Sequence, residues 1–216
     1  MSIKILLADD HKIVREGLGE LLVKKGFQVV GEAETGHQAV ILTRKLEPDL
    51  VLMDITMPDL NGIEATRQIL ERNPRMKILA LSMYSDKRFV TKMLAAGARG
   101  FLRKNCSSDE LSLAIRSVTQ GAIYVSPKIA SAMGKDFMQQ FTSGTLEDSQ
   151  KLTAKEAEVL QLIAEGRTSK EIAALFGLSI KTIEKHRENI SKKLDLHSVA
   201  DLTKYAIREG IASGAE

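Results

Sequence analysis

Along the first 120 residues, short continuous apolar runs alternate with longer stretches of helical spacing. The runs cover 3–8, 27–30, 50–54, 77–82 and 100–103. Runs of this length bounded by turn residues predict buried strands. The stretches between and after them, 11–25, 36–46, 62–72, 86–96 and 109–120, predict helices. In the first of these, Val14, Leu18, Leu21 and Leu22 share one face and Gly26 ends it. Pro48, Asn73-Pro74, Gly97 and Gly121 close the others, and Ser107 or Ser108 caps the last. Five strand–helix units in strict alternation predict a parallel sheet covered by helices on both faces, with right-handed crossovers.

The alternation stops at Ser126-Pro127. One more helix is expected over 128–141, with Ile129, Met133, Phe137 and Phe141 four apart, followed by a polar, aperiodic linker over 142–150. From Leu152 on, every element is helical. Thr153 and Glu156 form a capping box for a helix that stops at Gly166. Shorter signals predict helices over 170–176, 180–194 and 199–208, with Ser179 capping the third and Gly210 ending the fourth. The turn Gly177-Leu178-Ser179 joins a short helix to a longer one, a helix-turn-helix candidate. The organisation expected is 1–125, a helix and linker over 126–150, and 151–216.

Composition narrows this picture. The chain has 216 residues, 44% hydrophobic and 27% charged, enough for one large or two small packed domains. Net charge is only +3, so any signal for nucleic acid must lie in local clustering. Cys106 is the single cysteine, which excludes an internal disulfide and a Cys-based metal site. It is expected to be a small buried or loop residue. No apolar stretch approaches the roughly 18 residues of a membrane span, and the first residues lack the layout of a signal peptide. A cytoplasmic protein without membrane partners is expected.

The candidate chemistry sits at the carboxyl ends of the expected strands. The first ends in Asp9-Asp10, the third in Asp54, the fourth in Ser82, and Lys104 follows the fifth. In a parallel sheet these ends share one rim, where ligands bind. Any one of these residues alone is ordinary: a cap, a turn acid, a loop serine or a solvated lysine. Together they make a site. Crowded carboxylates repel unless a cation lies among them, and oxygen ligands on an open rim suit Mg²⁺ or Mn²⁺. Lys104 and Ser82 suit phosphoryl oxygens. Asp54 is then the nucleophile that forms an aspartyl phosphate. Hard-oxygen chemistry makes His11 a residue of the helix start, not a ligand.

Asp9-Asp10, Asp54-Ile-Thr-Met-Pro58 with Gly62, Ser82, and Ala98-Arg-Gly-Phe-Leu-Arg-Lys104 resemble a response-regulator receiver domain over residues 1–120. The resemblance implies a flavodoxin-like five-stranded parallel sheet of order 2-1-3-4-5, and phosphorylation of Asp54 by a sensor histidine kinase. It implies Mg²⁺ held by Asp10, Asp54 and the backbone carbonyl of Thr56, with Asp9 acting through water. Ser82 and Phe101 match the family's switch pair. The Pro that often follows the lysine is Asn105 here, which weakens the expectation of a cis peptide there.

On the expected helix 180–194, Ile183, Ile190 and Leu194 share a face with Ile180 close by. Lys181, Lys185, Glu188 and Lys192 lie opposite, flanked by Glu184 and Asn189. Five basic residues against two acidic ones give this helix a local +3. A charged face is usually just solvated. Here it sits in a longer pattern: Leu152-Thr-Ala-Lys-Glu-Ala-Glu-Val-Leu160, Gly166-Arg-Thr-Ser-Lys-Glu-Ile-Ala173, Ser179, Thr182-Ile183, His186, Asn189-Ile190 and Lys193-Leu194. This resembles the LuxR/FixJ/NarL-type DNA-binding domain over 152–210. The resemblance implies a small four-helix domain whose helix 180–194 enters the major groove of double-stranded DNA. Lys181, Glu184, Lys185 and Glu188 would read base edges. Ser169, Lys170, Thr182, Lys192 and Lys193 would contact phosphates. His186 is expected to pack or to contact the backbone and not to read bases, and the last helix to pair two subunits. The whole chain resembles a NarL/FixJ-type response regulator, a transcription factor controlled by phosphate. A phosphate-independent regulator is the alternative. A Mg²⁺-dependent phosphohydrolase is disfavoured, because such enzymes carry an acid two residues after the nucleophile and Thr56 stands there.

Overall fold

The computed structural model describes residues 2–83, 86–134 and 152–212. Strands β1 (Lys4–Ala8), β2 (Gln28–Ala33), β3 (Leu50–Met53), β4 (Ile78–Ser82) and β5 (Gly100–Arg103) alternate with helices α1 (Lys12–Lys24), α2 (Gly36–Leu46), α3 (Gly62–Arg72), α4 (Lys87–Ala95) and α5 (Ser108–Thr119). Every strand pairing is parallel, in the order 2-1-3-4-5 extended by a sixth strand, β6 (Tyr124–Val125), beside β5. The expected five-stranded sheet is therefore corrected to six strands. Two residues are too few to show a period, so β6 left no pattern in the sequence. It forms because Gly100 lets it approach: a Cβ there would lie 2.7 Å from the Tyr124 carbonyl oxygen.

Strands β3 and β4 are buried along their whole length, as strands covered on both faces must be. Successive side chains go to opposite faces. Leu6, Ala8, Val51, Met53, Ile78 and Ala80 meet Ala39, Ile63, Ile69, Val90 and Met93 of α2–α4. Ile5, Leu7, Leu50, Leu52, Leu79 and Leu81 meet Leu22, Leu111, Ile115 and Val118 of α1 and α5. Each such Leu or Ile contributes roughly 1.5–3 kcal/mol by leaving water.

Helix α6 (Pro127–Met133) is the beginning of the helix expected over 128–141, with Ile129 packed into the α2–α4 face. The rest of that helix and the linker 142–150 lie outside the described residues. Helices α7 (Ala154–Ala164), α8 (Ser169–Phe176), α9 (Ile180–Leu194) and α10 (Val199–Arg208) follow. They enclose Val159, Leu160, Leu162, Ile163, Ile172, Ile183, Ile190, Leu202 and Ala206. Thr153–Glu156 forms the expected capping box, and Thr168–Glu171 forms a second one for α8. Ile180, expected beside the apolar face of α9, is exposed instead. It is the first helical residue, where the axis has not yet reached the core. Among the described residues, no helix is long and apolar enough to cross a membrane.

Candidate functional site

The rim at the carboxyl ends of β1, β3, β4 and β5 brings the expected residues together. Asp9, Asp54 and Ser82 are buried there. The Asp54 amide donates to Ala8 O at 2.7 Å, which carries the β1–β3 pairing up to the carboxylate. The Lys104 amide donates to Ser82 O at 2.8 Å and ties the ends of β4 and β5. Lys104 Nζ then reaches Asp54 Oδ2 at 2.9 Å and Asp9 Oδ2 at 2.7 Å. The other Asp54 oxygen, Oδ1, accepts the Ile55 amide at 2.8 Å. Gly62 lies under the acid: a Cβ at that position would be 1.8 Å from the Asp54 carbonyl oxygen. Only glycine fits, and α3 therefore starts directly beneath the site.

Burial pushes the Asp54 carboxyl up to about 6, against the pull of Lys104 and with the help of the Asp9 charge. Burial also works against the charge on Lys104, but the Asp54 and Asp9 carboxylates outweigh it and raise its pKa. One lysine thus balances two buried acids, and it does not reach the third acid of the rim, Asp10. Asp10 Oδ1 is buried and has no hydrogen-bond partner. His11 Nδ1 lies 2.8 Å away, in a geometry that makes no hydrogen bond. Asp9, Asp10, His11 and Asp54 each offer one ligand atom, all within 4.8 Å of one another. An orphaned buried carboxylate oxygen beside two further acids fits a hard divalent cation. His11 is the N-terminal flanking residue of α1, as expected, yet its exposed ring also borders this cluster. Thr56 lies two residues beyond Asp54 in the loop leading to α3. Phe101 is fully buried in the α2–α4 face, so its ring is already turned inward. Cys106 is half-buried, and burial raises its thiol pKa. No cis peptide follows Lys104.

The second set of residues lies on α8 and α9. Lys170, Lys181, Glu184, Lys185, Glu188, Lys192 and Lys193 face solvent or nearly so, and Ser169 and Thr182 are half-buried. Glu188 is clamped between Lys185 at 2.9 Å and Lys192 at 2.5 Å. These hydrogen bonds hold its carboxyl down at about 2. Lys193 turns away to Glu156 of α7 at 2.6 Å. Arg187 donates to Ser169 Oγ at 3.3 Å, and Ser179 and Thr182 share a hydroxyl contact at 2.8 Å. His186 is half-buried, consistent with packing.

The two halves are in contact, a point that the sequence leaves open. Helix α7 docks on the loop that leaves Asp54. Gln161 Oε1 accepts from Asn61 N at 2.8 Å and Nδ2 at 3.1 Å, while its Nε2 donates to Met57 O at 2.8 Å. Glu165 accepts the Asp59 amide at 3.2 Å, and Asp59 has a left-handed φ of 65°. Burial raises the Glu165 pKa. Glu158 meets His37 Nε2 at 2.9 Å and Lys155 at 3.0 Å. Burial opposes its charge, but these two partners prevail and hold its carboxyl below the usual range. Lys92 of α4 meets Glu209 at 2.7 Å, and Gly210 packs so closely on Phe89 that a Cβ would lie 1.9 Å from the ring. The docked arrangement does not bury the solvent face of α9.

Comparison with known proteins agrees with both halves. Residues 5–116 match the response regulator receiver domain, and residues 150–206 match the bacterial regulatory proteins of the luxR family. The chain is 36% identical over 214 residues to response regulator GacA of Pseudomonas aeruginosa, covering 99% of each. It is 35% identical over 223 residues to transcriptional regulatory protein DegU of Brevibacillus brevis, covering 97% of this chain and 94% of that protein. Among solved structures, RcsB of Salmonella enterica serovar Typhimurium, bound to promoter rprA with a phosphomimetic, aligns with a TM-score of 0.60. It is 27% identical and covers 95% of this chain and 98% of RcsB. The chain belongs to the two-component response regulators that join a receiver to a LuxR-type DNA-binding domain.

Proposed function

We propose that Asp54 is the phosphoacceptor through which a sensor histidine kinase controls DNA binding by residues 151–216. The observation that carries this reading is the rim itself: a buried carboxylate held between a lysine and two further acids. An Asp54 oxygen attacks phosphorus, the P–N bond of the donor phosphohistidine breaks, and the imidazole leaves. Lys104, already within hydrogen-bond reach of Asp54 and Asp9, would then share its charge with the phosphoryl group. Asp9, Asp10, Asp54 and the Thr56 carbonyl would hold Mg²⁺ or Mn²⁺, which supplies further neutralisation of phosphoryl charge. Ser82 would hydrogen-bond a phosphoryl oxygen, with Phe101 packing beneath.

The output follows from the docking contact. The loop that carries Asp54 and Thr56 is the loop that Gln161 and Glu165 grip, so a phosphate there biases docking. The freed domain, 151–216, lays α9 in the major groove. Lys181, Glu184, Lys185 and Glu188 face base edges, and Ser169, Lys170, Thr182 and Lys192 face phosphates, as Lys193 does once it leaves Glu156. Two chains pair on DNA through α10, whose Val199 and Ile207 are exposed. The receiver spans 1–125 and the connecting helix and linker 126–150. The protein works in the cytoplasm and turns over no substrate beyond its own phosphate.

The test is incubation with Mg²⁺ and acetyl phosphate, followed by intact mass and sizing. Wild type takes one labile phosphate and Asp54→Asn takes none. A label on another aspartate, or no label with Mg²⁺ present, overturns the assignment.

A further inference from the structure

Arg15 lies in α1, at a position the sequence presents as one more polar residue of a surface helix. In the structure it is 4% exposed, among the most deeply buried charged side chains described. A guanidinium carries its charge at every physiological pH. A buried charge must find compensation, and one that goes to such cost has a specific set of partners.

Those partners point at the acid rim. Nη1 donates to the backbone carbonyl oxygen of Asp9 at 2.7 Å. Nε donates to Glu32 Oε2 at 3.2 Å, and Nη2 to Glu34 Oε1 at 2.5 Å. Glu32 and Glu34 lie at the end of β2 and stay largely in solvent, so they hold the guanidinium from outside while its inner edge grips Asp9. The three acceptors lie in three directions. A planar fork satisfies them at once, and a lysine ammonium on a flexible stem does not.

The grip on the Asp9 carbonyl has a geometric consequence. The Asp9–Asp10 peptide is planar, so its oxygen, the Asp9 Cα and the Asp10 Cα move together. Fixing the oxygen fixes the plate from which both acidic side chains project. The rest of Asp9 is pinned by other means: its amide donates to Ala33 O at 3.0 Å, and its carboxylate accepts the His11 amide at 3.0 Å. Asp10 is held less firmly: its Oδ1 has no hydrogen-bond partner and meets only the exposed His11 ring, at 2.8 Å. Its aim depends on the peptide plane that Arg15 holds.

We propose that Arg15 is a positioning residue for the divalent cation site, aiming Asp9 and Asp10 through the peptide between them. It touches neither cation nor phosphate. The inference rests on the cation reading given under Proposed function.

The experiment is calorimetric titration of Mg²⁺ into the full-length, unphosphorylated protein, with Arg15→Lys, Arg15→Gln and the double variant Glu32→Gln/Glu34→Gln. Arg15→Gln weakens Mg²⁺ binding by about 10-fold or more, as loss of a residue that orients a ligand does. Arg15→Lys and the double variant fall between it and wild type. In parallel, the Mg²⁺ concentration that half-saturates phosphorylation by acetyl phosphate rises by the same factor, while the rate at saturating Mg²⁺ stays within about twofold. Circular dichroism confirms folding. If Arg15→Gln does not fold, Arg15→Lys and the double variant decide on the same criteria. Unchanged Mg²⁺ affinity in folded variants overturns the proposal and leaves Arg15 as a link between α1 and β2. A lower saturated rate with unchanged affinity overturns it too. Absence of Mg²⁺ binding in wild type would overturn the cation site itself, a separate failure.

Discussion

The side-chain amide of Gln161 spans the two halves of the chain: it accepts from the Asn61 backbone and side chain and donates to the Met57 carbonyl. Asn61 is already the cap of α3, with its Oδ1 accepting from Ile63 N and Glu64 N. The capping residue of a receiver helix is thus also the anchor for the DNA-binding half. Gln161→Leu leaves Asn61 N and Met57 O buried without partners, at about 1–3 kcal/mol. Expected are faster amide exchange over 57–61 and 154–165 and an earlier, separate melting of the two halves. Unchanged exchange in these segments would show that Gln161 does not hold the contact.

Asp54 supplies a pH signature. Its carboxyl is raised from 3.8 to about 6, so the folded state binds its proton more tightly than the unfolded chain does. This contribution is complete below about pH 4 and is lost as pH rises through 6, on the order of 3 kcal/mol in all. Lys104, raised in turn, loses its contribution only in strong alkali. With a chelator present, wild type should lose stability from pH 4 to 6 relative to Asp54→Asn. Urea titrations at successive pH values measure the difference, and parallel curves would refute the burial account.

How much of this was legible beforehand differs by kind of information. Strands β1, β3, β4 and β5 and the rim residues Asp9, Asp10, Asp54, Ser82 and Lys104 followed from runs of apolar residues and what ended them, because burial on both sheet faces leaves an unmistakable run. Cap and period agree in placing α9 over 180–194, as observed. The Gln161–Asn61 contact was not legible: residues 100 apart leave no periodicity when they hydrogen-bond. Arg15 was not legible either. In a helical pattern a polar residue signals solvent, and only the fold shows Asp9, Glu32 and Glu34 converging on it.

Glu188 restrains the charged, solvent-facing side of α9. It occupies both Lys185 and Lys192, and at a pKa of about 2 it stays ionised throughout the working range. Glu188→Gln frees both lysines. Binding to a non-specific duplex should tighten, and its salt dependence should steepen by roughly one phosphate contact, that of Lys192. Fluorescence anisotropy over a salt series tests this. An unchanged slope would mean that Lys192 does not reach a DNA phosphate.

Two glycines give a matched pair. Gly62→Ala drives a methyl into the Asp54 carbonyl and should cost about 3 kcal/mol, together with phosphate uptake. Gly17, inside α1, has open space where a Cβ would go, so Gly17→Ala should stabilise by about 0.5–1 kcal/mol and leave uptake unchanged. Thermal melts of the two variants give the comparison. Equal effects would contradict the close approach beneath Asp54.

Because α7 rests on the very loop that carries Asp54, influence along this contact runs both ways. Under the proposed scheme, whatever free energy the phosphate contributes to release of the DNA-binding half, occupancy of a DNA site contributes equally to the equilibrium for phosphorylating Asp54, since coupling free energies are reciprocal. A promoter is then a party to the signal as well as its destination: chains engaged on DNA hold their phosphate in a different balance from chains free in solution.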